Sequence, residues 1–438
     1  MNLKDPFNNK KLNLSYLLKG GEVIDPLTNK IEKKDILIEN KIIKDINKSI
    51  LSENKNLQII DCKNLHISPG IVDIRVNLGE PGQEHKETIQ SACMAAASGG
   101  VTSMVCMPNT SPPIDQPAII RSIQRKAREV ALSKVFCTGC ITRGAEGKEI
   151  CELQLMKESG ALGFTDGNKS VSNVRVMKRA LNYVKSFNGI IIQHAEEPEL
   201  SKGGMANEGE TSSRMGLTGV PSYAEAMIIE RDMWLVKATN CKYHVSHIST
   251  KESVDIIRKA KKNNLPVTCD TAPPYFILNE FSLENYRTFS KLSPPLRSEE
   301  DRQAILYGIQ DGTIDAIASD HTPQDQDAKR LPFNQAEFGG IGLETLLPMT
   351  LSLVKNNKLD LIKAISLITQ NPSKIFGLNA GVIAKNVEAD LIIFNLEKPW
   401  KIKPEKFFSK SKNSPFDGML VEGKNLMTFV RGRLVYKL

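Results

Sequence analysis

The sequence has no apolar run near the roughly 18 residues that cross a bilayer, so no membrane helix is expected. Its start, Met1 to Ser15, is polar and rich in Asn and Lys, without the apolar centre of a secretory leader. A cytoplasmic protein is therefore expected. Nor is there a stripe of one charge: the net charge of +8 is spread over 438 residues. The Lys10-Lys11, Lys33-Lys34 and Lys261-Lys262 pairs each stand beside Asn or Glu. They read as solvated surface, so neither nucleic acid nor membrane is expected as a partner. The eight cysteines include one CxxC, Cys137 to Cys140, and no second pair, which argues against a zinc ribbon. Cys106, Cys137, Cys140 and Cys269 lie in apolar runs and are expected as buried, reduced thiols.

Hydrophobic residues make up 40% and charged residues 25%, enough for a sizeable core and too apolar for global disorder. The length suits two or three domains, or one α/β barrel with a satellite. The two ends share a texture of short β-like pieces. Tyr16–Leu18, Asp35–Ile38 and Leu57–Ile60 are punctuated by Gly20-Gly21, Asp25-Pro26 and Asn40. Ala389–Phe394 and Met427–Tyr436 repeat the pattern. Each set alone is too small for a stable core. One composite β-sandwich domain is expected, built from residues 1–68 and 380–438.

The middle, residues 69–379, holds eight short apolar runs that end in polar or turn residues. They are Ile71–Val76, Met104–Met107, Val135–Ile141, Leu162–Phe164, Ile190–Ile192, Tyr243–Val245, Val267–Cys269 and Ile314–Ala318. Amphipathic segments such as Ile119–Leu132, Val174–Lys185, Val254–Lys261 and Arg302–Ile309 lie between many of them. Alternation of this kind predicts a (β/α)8 TIM-type barrel, whose chemistry gathers at the C-terminal ends of the strands. The residues there are Asp73, Arg75, Asn77, Asn109, Asp166, His194, His244, His247, Asp320 and His321. Only six histidines occur in the chain, and four are in this set. Carboxylates and imidazoles converging on a barrel mouth match the ligand set of a zinc-type hydrolase.

Longer motifs make the pattern specific. They are Pro69–Asp73, Gly79–Thr88, Met107–Thr110, His194–Glu197, Asn207–Glu210, Pro294–Arg297, Ser319–Pro323, Gly342–Thr345 and Asn413–Gly418. In this order, from about residue 16 to the end, the chain resembles the dihydroorotase family of the amidohydrolase superfamily, in its long, multifunctional-complex form. The resemblance implies a metal-bearing barrel with a β-domain built from both termini. By it, Asp166 matches a bridging carboxylate, His194 and His247 match metal ligands, and Asp320 matches a ligand and general base. Asn109 matches a substrate contact.

The departures from the family pattern are as informative. Its first strand carries Asp-x-His-x-His, whereas this chain has Asp73-Ile74-Arg75-Val76-Asn77. A substrate-gripping arginine becomes Gly79, and a substrate-contacting histidine becomes Gln324. A His pair becomes Pro274-Tyr275, and an Asn before Pro-Pro-Leu-Arg becomes Ser293. Arginine stays protonated, has no free lone pair and cannot ligate zinc. The expectation is a dihydroorotase-like protein of pyrimidine (UMP) biosynthesis with lost or much reduced activity. Asp320 would then be idle as a base, with one zinc at a residual site of Asp166, His194, His247 and Asp320, or none. Non-catalytic members of this family associate with aspartate carbamoyltransferase, so that enzyme and a homo-oligomer are the expected partners. The alternative is an active, metal-dependent dihydroorotase or related cyclic amidohydrolase. Arg75 is expected to fill the first metal's space and pair with Asp320, Asp166 or both. Asp73 is expected to support its strand, His85 its loop, and His244 to pack.

Overall fold

The computed structural model describes residues 15–52, 54 and 56–438. The Met1 to Ser15 segment read above therefore lies outside the described residues, apart from Ser15, as does Lys10-Lys11. Five strands come first: β1 (Ser15–Asp25), β2 (Lys30–Glu39), β3 (Ile42–Asn47), β4 (Leu57–Asp61) and β5 (His66–Pro69). Eight parallel strands follow: β6 (Ile71–Val76), β7 (Val101–Cys106), β8 (Lys134–Gly139), β9 (Ala161–Phe164), β10 (Ile190–His194), β11 (Lys242–Ser246), β12 (Val267–Thr271) and β13 (Ala316–Ile317). They pair in sequence order. A bridge between Val76 and His321 brings the last strand back to the first. Every residue of β6, β7 and β10 is buried, as expected of parallel strands covered on both faces. All eight predicted runs overlap these strands.

The helices between them follow from local sequence. In α1 (Ile89–Gly99), the Thr88 hydroxyl accepts from Ser91 N. In α2 (Pro117–Val130), Pro117 supplies the first turn, and Ile120, Ile123 and Ala127 bury one face.

Three more strands, β14 (Leu391–Asn395), β15 (Lys424–Val430) and β16 (Arg433–Lys437), join β1–β5 in a second sheet of eight. It is one connected sheet that forks at β1, whose first half pairs with β4 and whose second half pairs with β5. Leu18, Ile36, Ile38, Ile67, Leu391, Ile393 and Phe429 form its own core. Among the described residues, no helix is long and apolar enough to cross a membrane. All eight cysteines are buried free thiols, and burial pushes Cys106 up to about 12.

Candidate active site

Arg75 stands at the end of β6 with its side chain almost wholly buried. Its Nε donates to Asp320 Oδ1 at 2.9 Å, and its Nη2 donates to Asn168 Oδ1 at 2.8 Å. Its Nη1 lies 3.5 Å from the Met107 sulfur. The expected ion pair thus forms with Asp320. Asp320 holds a left-handed backbone, φ 51°, and so does His247, φ 40°. Such conformations in non-glycine residues cluster where surrounding structure fixes functional geometry.

Asp320 Oδ2 lies 3.1 Å from His247 Nδ1, and His247 Nε2 lies 2.8 Å from His194 Nδ1. Burial raises the Asp320 carboxyl, but His247 and Arg75 more than offset it, leaving it below its ordinary value. An ionised Asp320 can only accept, so His247 donates from Nδ1. His247 Nε2 and His194 Nδ1 share the next hydrogen bond, whose direction is set by the tautomers. His194 Nε2 is buried and has no hydrogen-bond partner. Burial, then His247 and Arg75, holds His194 well below the usual imidazole range. His194 lines a cavity of about 380 Å³ with Asn168, Lys169, Ser170, Glu196 and Lys202.

Asp166 does not join this group. Its Oδ1 accepts from the N–H groups of Ile141 and Thr142, at 2.8 and 2.9 Å, and its Oδ2 accepts from the Thr142 hydroxyl at 2.5 Å. The carboxylate is bonded to the loop after β8, and of the two carboxylates expected for Arg75 it is Asp320 that pairs with it. The next position, Gly167, has φ 72°, and a Cβ there would lie 2.0 Å from Asn109 Oδ1. Asn109 is therefore packed against bare backbone, with its Oδ1 unpartnered.

The substituted positions have settled into structural bonds. Asn77 Nδ2 donates to Thr322 Oγ1 at 2.9 Å and His321 O at 3.2 Å. Gly79 has φ 68°, and a Cβ would come within 2.6 Å of Glu87 O, so no arginine fits this backbone. Gln324 Nε2 donates to Phe338 O at 2.7 Å. Tyr275 donates from its hydroxyl to Pro294 O. Asp73 Oδ1 accepts from Ser319 N and Arg75 N, and burial lifts it to about 6. His244 sits between Thr268 Oγ1 and Asp270 Oδ2, away from the mouth chain, and His85 is exposed beside Asp325.

Several motifs prove to be clamps that the strand-end reading missed. Glu344 accepts from Phe408 N, Ser409 N and Ser98 Oγ. Glu87 accepts from Lys410 N and the Ser409 hydroxyl, and lies 3.4 Å from His321 Nε2. Asn413 Nδ2 donates to Gly339 O at 2.9 Å. These bonds fasten the segment around Ser409 to the barrel. Asn168 was missed because it lies in a turn, and nothing in its spacing marks it as a partner of Arg75.

A catalytic zinc normally takes three protein ligands and an open position. Here the two imidazoles bond to each other, Asp320 is held by Arg75 and His247, and Asp166 faces elsewhere. Among the described residues, no group of three or more His, Cys, Asp or Glu is arranged to hold a metal ion. The permanent charge of Arg75 further opposes a cation beside it. The residues present do not fit the family's metal centre.

A family model described as "Dihydro-orotase-like" matches residues 65–253. A protein named dihydroorotase from Anaplasma phagocytophilum (strain HZ) is 42% identical over 420 residues, covering 95% of this chain and 94% of its own. Another from Geobacter sp. (strain M21) is 41% identical over 424 residues, covering 97% and 100%. In fold, L-hydantoinase (dihydropyrimidinase) from Arthrobacter aurescens matches with a TM-score of 0.86 at 24% identity, over 96% of each chain. Dihydropyrimidinase from Brevibacillus agri NCHU1002 gives 0.84 at 21%, over 97% of this chain and 95% of its own. The barrel and its forked β-domain share the fold of these two proteins. By identity over nearly its whole length, the chain belongs to the dihydroorotase family.

Proposed function

We propose that this chain serves pyrimidine biosynthesis as a dihydroorotase-family protein whose ring-hydrolysing activity is lost or much reduced. The observation that supports it is the Arg75–Asp320 pair: a guanidinium holds the carboxylate that would otherwise act as ligand and base. Ring opening of a cyclic amide near neutral pH calls for an activated water, an electrophile and a positioned substrate. Arg75 has ended the first arrangement, and Gly79 and Gln324 supply no carboxylate grip. A structural role beside aspartate carbamoyltransferase rests on family resemblance alone.

A second reading is an active dihydroorotase or related cyclic amidohydrolase. It is favoured by near-full-length identity of 41–42% to proteins named dihydroorotase. The sequence also keeps His194, His247, Asp320 and Asn109, and His194 lines a cavity of about 380 Å³. The relatives' names weigh for this second reading, and the geometry of the mouth weighs for the first. A dihydroorotate assay in both directions, with and without added zinc, separates them. The first expects no turnover beyond background. Turnover of about 1 per second or more, typical of enzymes, establishes the second. Co-elution with aspartate carbamoyltransferase at physiological salt tests the partner, and separate elution with no mutual effect on stability counts against it.

A further inference from the structure

At the opposite end of the barrel, where β8 begins, a cavity of about 210 Å³ opens between the end of α2 and the β15–β16 hairpin. It is larger than the roughly 150 Å³ cavity that accepts benzene, so a tetrahedral oxyanion fits. Arg128, Lys134, Arg431 and Arg433 line it, and no carboxylate does. Two acids stand behind them. Glu388 and Asp390 both take the Lys134 ammonium at 2.5 Å. Glu388 also lies 3.5 Å from Arg431 Nε, so two carboxylates are shared by two of the four cations.

The other two cations are left over. Among the described residues, the Arg128 side chain has no hydrogen bond or ion pair. Arg433 donates from Nη2 to Ala131 O at 2.5 Å, closing the last turn of α2, and has no carboxylate. That bond uses one of five guanidinium N–H groups. Burial, then the neighbouring Arg431, disfavours the charged form of Arg433. Two guanidiniums without a carboxylate, beside Arg431 which shares Glu388 with Lys134, on a cavity of this size have the chemistry that recognises phosphate.

We propose that this seam between barrel and β-domain binds a phosphate group, as inorganic phosphate or as a phosphomonoester, through Arg128, Arg431 and Arg433. The site is remote from the barrel mouth and does not depend on whether the chain hydrolyses a ring. The test is calorimetric titration of the full chain with inorganic phosphate and, separately, a nucleoside monophosphate, at constant ionic strength. Arg128→Gln and Arg431→Gln are titrated in parallel. The Arg128 side chain makes no bond within the fold, so its variant should fold normally, and a melting curve checks this. Saturable binding that weakens at least about tenfold in each variant supports the site. Saturation by the monoester alone identifies the larger ligand, and by both identifies the bare phosphate group. No saturable binding at millimolar ligand, or equal binding by wild type and Arg128→Gln, overturns it and leaves Arg433 as a helix cap only.

Discussion

Arg75 Nε donates to Asp320 Oδ1 at 2.9 Å across 245 residues of sequence, joining the first barrel strand to the segment after the last. One short bond places a permanent cation against the mouth carboxylate and helps close the barrel. The pair is almost out of water, so removing one partner strands the other.

Arg75→Ala should therefore cost about 3–5 kcal/mol, read as a lower urea midpoint with unchanged slope. Arg75→Ala with Asp320→Asn should cost less, because no buried charge remains. Equal losses in the single and double variants would mean that packing, and not charge, is what Arg75 provides.

Restoring the family's arginine at position 79 should not rebuild a substrate grip. Gly79 has φ 68°, and its Cβ direction is closed by Glu87 O. A side chain in the left-handed region costs about 1–2 kcal/mol before any clash. Gly79→Arg should thus be destabilised and bind dihydroorotate no better than wild type. Tighter binding at unchanged stability would show that the loop can re-form around an arginine.

Burial pushes the Glu344 carboxyl up to about 7, although Phe408 N, Ser98 Oγ and Ser409 N donate to it. Its unfolded value is about 4.3. A group raised in the folded state contributes stability that is fully present below its unfolded pKa and lost as pH rises through the folded one. Glu344 should therefore weaken the fold from about pH 4.3 to about pH 7. Glu344→Gln should flatten that part of the urea-midpoint profile. Identical slopes in both proteins would contradict the assignment.

Much of this was legible in the sequence. The barrel strands are continuous apolar runs ended by polar residues, and β6 and β10 fall where Ile71–Val76 and Ile190–Ile192 predict. The partnership of Arg75 with Asp320 follows from charge: a lost metal leaves a carboxylate in need of a cation. The bonds of Asp166 to the loop after β8 were not legible, because motif matching does not say which way a strand-end side chain faces. Position 167, which does face Asn109, is glycine. The clamps of Glu87 and Glu344 on Ser409 were invisible because they join segments more than 60 residues apart.

The most direct test of the central claim is the zinc content of the purified chain after incubation with excess zinc and desalting. With Arg75 bonded to Asp320 and Asp166 bonded to the loop after β8, well under one zinc per chain is predicted, and a chelator should leave the melting temperature unchanged. One or more tightly held zinc ions per chain, lost in His194→Ala or His247→Ala, would contradict the account.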